Sequence, residues 1–164
     1  MELQVTLKKF DDRPSVLSIQ REDGSETWQS YGNQSEFFPL HDLTHYAVES
    51  ELGLTRAFFG MIANGRDAND FGPGDAANMD TEAHFAEILV GLIMSSDTTD
   101  TYLTNDEILS LVRDELARLG LAPIRIEPGQ LSDIRSLRDS LVAFWRMLPP
   151  GQMMTLDFPP DLSL

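Results

Sequence analysis

The chain has three histidines, and two of them, His41 and His45, stand four residues apart in the stretch Phe38 to Glu49. Pro39 suits the first turn of a helix, where its missing N–H would have no partner anyway. A helix from there sets His41 and His45 on one face, a turn apart, so that two imidazoles reach one divalent metal ion. Glu49 continues the row but lies about 12 Å along the axis from His41, at ~1.5 Å rise per residue. It is therefore better placed to orient a ligand than to be one. The third ligand must come from another element. His84 is the leading candidate, with Glu82 and Glu87 as alternatives on the same stretch. Three protein ligands and one open position is the pattern of a catalytic zinc site. A set richer in carboxylate shifts the choice toward manganese, iron or nickel. Zinc is the first expectation. Asp42 and Glu49 are the candidate catalytic carboxylates, as bases toward a metal-activated water or as anchors behind a ligand.

The five residues His41 to His45 resemble the zinc-peptidase signature H-E-x-x-H, with Asp42 where that motif has glutamate. Leu40 to His45 also resembles the L-H-D-x-x-H segment of HD-domain phosphohydrolases, but no histidine precedes His41. The H-D-x-x-H motif of a ubiquinone-biosynthesis family is a third likeness, and its closing glutamate falls here on Ala57. None of the three patterns is completed.

Charge and composition narrow the function. There are 27 acidic residues against 12 basic, for a formal charge of −15. Such a surface repels phosphates, which argues against nucleic-acid binding. The absence of cysteine excludes disulfides, thiolate chemistry and Cys-ligated metal sites. The first residues carry no signal-peptide pattern, and no apolar run is long enough to span a bilayer. The expectation is a cytoplasmic protein that meets a small-molecule substrate rather than a membrane. Arg56 and Arg66 are the nearest basic residues for an anionic group. The plainer alternative is a non-catalytic acidic binding protein whose histidines are structural.

The elements that must position these residues read as one α+β domain: a small antiparallel meander of three to four strands packed against four to five helices. Strands fall within 2–31, where Leu3, Val5 and Leu7 alternate with polar residues and Asp23-Gly24 signals a hairpin. Trp28 is expected to pack on the helices. The histidine helix spans 39–52 and ends at Gly53, and a short apolar helix with Phe58, Phe59 and Ile62 follows. Residues 65–79 form an irregular loop between the two histidine-bearing regions, placed to cover the site as a lid. Helices are expected at 81–94, 105–119 and 132–148, the second opened by a Thr104–Glu107 capping box. Leu111, Leu119 and Phe144 are expected to face inward, and Ile124 to Ile126 can form a short strand. A final strand at 153–158 should return to the N-terminal strands, before a loose tail at 159–164.

Overall fold

The computed structural model describes residues 2–34, 36–71, 79–99 and 101–160. Three strands open the chain: β1 (Leu3–Lys8), β2 (Val16–Arg21) and β3 (Glu26–Ser30). Five helices follow: α1 (Phe38–Leu52), α2 (Phe58–Ala63), α3 (Thr81–Thr98), α4 (Asn105–Arg118) and α5 (Pro128–Met147). A fourth strand, β4 (Met153–Phe158), closes the order. The sheet runs β3-β2-β1-β4 and is antiparallel throughout. Val5 stands opposite Ile19 on one side and Leu156 on the other.

Alternation decides the sheet's inner face. Leu3, Val5, Leu7, Leu17, Ile19, Met154 and Phe158 are buried there against Leu43 and Tyr46 of α1, Phe59 and Ile62 of α2, and Val142 and Trp145 of α5. A second core joins the other side of α1, through Ala47 and Val48, to α3, α4 and α5. α1 thus lies between two cores, and every residue from Asp42 to Glu49 is buried. Four of those eight are polar: Asp42, Thr44, His45 and Glu49. Buried polar groups need partners, so α1 is where chemistry is to be sought. Arg138 of α5 is also buried, and its guanidinium pairs with Asp97 of α3 and reaches Thr44 Oγ1 at 3.3 Å. This contact ties α5, α3 and α1 together beside the histidines.

Several expectations are corrected. α3 continues through the polar run to Thr98, because the hydroxyls of Ser95, Ser96 and Thr98 bond back to carbonyls of the preceding turn. α5 starts at Pro128 rather than 132, with Gln130 Oε1 accepting from the Glu127 N–H at 3.0 Å. Proline and glycine there begin a helix instead of marking a linker. Ile124 to Ile126 form no strand, and Ile126 packs into the helical core. Trp28 is exposed, because Thr27 takes the inward position on β3 and accepts a hydrogen bond from the Ala68 N–H at 2.9 Å. Phe144 is exposed beside the inward-facing Trp145, and Leu111 and Leu119 are also exposed. Of the expected loop 65–79, residues 68–70 make a short 3-10 turn, while 72–78, and with them the expected lid, lie outside the described residues. So do residues 161–164 of the expected tail. Among the described residues, no helix is long and apolar enough to cross a membrane.

Candidate metal centre

The site grows from α1. Its histidines are spaced by the helix, and their rings lie 4.7 Å apart, centroid to centroid. Gly53, at φ +63°, ends the helix in the left-handed region and turns the chain back. Leu54 N–H then bonds the Glu49 carbonyl at 3.0 Å. That return sets the start of α2 against the Glu49 side chain. Glu49 Oε2 accepts from the N–H of Phe59 at 2.9 Å and from the N–H of Gly60 at 3.4 Å. Gly60 cannot be replaced quietly, since a Cβ there would fall 2.2 Å from the Thr55 carbonyl oxygen.

The other oxygen of Glu49, Oε1, lies 3.2 Å from His45 Nδ1. His41 has a matching anchor: its Nδ1 is 3.4 Å from Asp42 Oδ1, and Asp42 Oδ2 accepts from the Tyr31 hydroxyl at 2.6 Å. With both Nδ1 atoms turned to carboxylates, both Nε2 atoms face α3. They meet Glu87 there. Oε1 of Glu87 is 3.2 Å from His45 Nε2, and Oε2 is 3.7 Å from His41 Nε2. One ligating atom from each of His41, His45 and Glu87 fits within 4.8 Å of the others.

His45 supplies the most telling detail. Its side chain is 1% exposed, and its Nε2 has no hydrogen-bond partner. Glu87 Oε1 is close to Nε2 but gives only an ion-pair contact, because it does not meet hydrogen-bond geometry. A buried ring nitrogen without a partner is costly unless something else occupies it. A divalent ion bound by both Nε2 atoms and one Glu87 oxygen would do so. The anchors fit that use. A ligating histidine commonly gives its other N–H to a carboxylate, which fixes the tautomer and the ring.

Charges without an ion follow the same contacts. Burial pushes His45 down, but the contacts with Glu49 and Glu87 outweigh it and hold the imidazolium up to about 10. Burial also opposes charge on His41, and Asp42 and Glu87 still raise it. Burial lifts the Glu49 carboxyl above its ordinary range against the pull of His45. Glu87 resists the same burial and is drawn far below its ordinary range by the two histidines. Burial, and then the Asp42 charge, push the Tyr31 phenol well above 10.

The residues expected from the sequence divide clearly. His41 and His45 come together. Glu87, named only as an alternative, takes the third place. His84 is half-buried one turn earlier on α3 and belongs to no such group among the described residues. Glu82 caps the turn after α1, accepting from the N–H groups of Thr55 and Arg56. Glu49 is fully buried with both oxygens engaged, a position that suits the anchor among its two expected roles. Asp42 is bound in the same way, between His41 and Tyr31. Arg56 pairs with Asp80 and Glu82, and Arg66 lies over the Phe71 ring. Tyr31 and the two α2 amides were not visible in the sequence as parts of the site. No protein-family model, no curated protein and no solved structure matches the chain.

Proposed function

We propose that this protein binds one divalent metal ion through His41 Nε2, His45 Nε2 and Glu87, and that the ion activates water for hydrolysis of a small molecule. The observation that carries the reading is the buried Nε2 of His45, without a hydrogen bond, in a group of three ligand residues. Two histidines and one glutamate match the protein ligands of a catalytic zinc set, and two histidines with one carboxylate also suit iron. Glu87 is the one carboxylate of the group that reaches solvent, at 48% exposure. The accessible side of the ion therefore lies there. When bound, the ion would lower the pKa of its water toward neutrality.

The second reading is a metal-free, non-catalytic cluster. His45 has a carboxylate 3.2 Å from each ring nitrogen, which also suits a charged imidazolium clamped between Glu49 and Glu87. Metal analysis by plasma mass spectrometry separates the two. Wild type and His84→Ala should carry about one equivalent of ion after reconstitution with zinc, manganese, iron or nickel. His45→Ala and Glu87→Ala should lose it. No uptake by wild type would leave the clamped imidazolium and discard the hydrolase. Uptake that His84→Ala abolishes would move the site along α3.

A further inference from the structure

Where α1 turns back into α2, beside the end of β4, the chain borders a cavity of about 270 Å³. Its inner walls are the buried Glu49, Leu54, Gly60 and Phe158, and its rim carries exposed Gly53 and half-buried Ala63. Interiors rarely leave voids larger than a water molecule. The backbone accounts for the two glycines here. Gly53 holds φ +63°, and a Cβ on Gly60 would fall 2.2 Å from the Thr55 carbonyl oxygen. Ala63 is under no such constraint at the end of α2, and a larger apolar side chain in its place would take up the space.

The cavity is distinct from the open side of the metal centre. Glu49 forms its wall and lies 3.2 Å from His45 Nδ1, whereas Glu87 meets the other ring nitrogen, Nε2. A guest here therefore sits on the Glu49 side of His45 and does not compete for the Glu87 side.

The walls restrict the guest. Among the described residues that line the cavity, Glu49 is the one ionisable group. Its oxygens are taken up by the N–H groups of Phe59 and Gly60 and by the His45 ring. An enclosed water needs about two to four polar partners, and these walls leave it few. Replacing such loosely held water by an apolar group gains affinity. A cation would have to draw Glu49 from its amides, and an anion would face the carboxylate. Size narrows the guest further. An apolar cavity of about 150 Å³ takes benzene, so about 270 Å³ leaves room for a second small ring.

We infer that this cavity is a binding site for a small, uncharged, apolar molecule of about two fused rings. The inference does not rest on the metal reading above. The test is titration of the ¹⁵N-labelled protein, followed by amide NMR, with benzene, indane, 2-aminoindane and indane-2-carboxylate. Indane should shift the amides of Leu54, Gly60 and Ala63 saturably and bind about tenfold tighter than benzene, from the added apolar area. The ammonium and the carboxylate probes should each bind more weakly than indane. Ala63→Phe should abolish indane binding, and the gentler Ala63→Leu should weaken it several-fold, each with the remaining amide spectrum in place. No saturable shift with indane would overturn the inference. So would shifts confined to Arg21, Glu22 and Asp23, which line a separate hollow beside Ala63. Tighter binding of either charged probe, or indane binding unchanged in a folded Ala63 variant, would overturn it as well.

Discussion

His41 and His45 sit one helical turn apart on α1 and are held in different ways. His45 is sealed from solvent, and its anchor Glu49 is sealed as well, gripped by two backbone amides at the start of α2. Backbone donors in a packed helix cannot rotate away. His41 is 26% exposed, and its anchor Asp42 is held by a side-chain hydroxyl that reaches in from Tyr31, next to the end of β3. A side-chain hydroxyl has torsional freedom that an amide lacks. The ring neighbours differ in the same sense, half-buried Phe58 for His45 and exposed Phe37 for His41. One half of the centre is a fixed point built from backbone. The other is built from side chains, with Asp42 and Tyr31 buried and His41 partly exposed.

The asymmetry predicts an order of damage. Glu49→Ala should be worst, because it strands His45 Nδ1 and two buried amides. The cost should be roughly 3–5 kcal/mol in urea unfolding, the range for breaking a buried pair. Asp42→Ala should cost less, roughly 1–3 kcal/mol for unpartnered buried groups. A reversal of that order would break the comparison.

Metal affinity should follow pH through His45. The raised pKa means that the bound proton stabilises the metal-free fold. That contribution is full below about 6.5, the unfolded value, and is lost as pH rises through about 10. An ion bound at Nε2 would displace this proton, so affinity should climb by up to about tenfold per pH unit within that window. Calorimetry in buffers of different ionisation enthalpy should show a proton released on binding at neutral pH. A pH-independent affinity would put the ion elsewhere. The mildest change is Tyr31→Phe, which frees Asp42 Oδ2 for about 1 kcal/mol. Its effect on the ion should be confined to the His41 half and seen as a several-fold faster exchange in stopped-flow chelation.

Much of the fold was legible because its signals are local or periodic. Leu3, Val5 and Leu7 mark a face by alternation, Gly24 and Gly53 mark turns by their positive φ, and Thr104 with Glu107 caps a helix in place. The contact between His45 and Glu49 follows from helical spacing alone. The choice between His84 and Glu87 does not. It depends on where α3 crosses α1, and two residues on one stretch of helix look alike until that crossing is known. Tyr31 and the amides of Phe59 and Gly60 reach the site by tertiary folding, with no spacing rule to announce them. Trp28 misled because a five-residue strand with polar neighbours gives alternation little to decide on.

The placement of β4 has a consequence in time. β1 lies between β2 and β4, and Tyr46, the residue after His45, donates its hydroxyl proton to the Asp157 carbonyl at 2.7 Å. On the ribosome the histidine helix emerges before the strand that braces it, which is the last of the described elements. At roughly 5–20 residues per second, the helix is made about 5–20 seconds before the strand that braces it through Tyr46. The sheet side of α1 is therefore completed only when β4 seats, after α2 and α3, which hold Glu49 and meet the histidines, have been made.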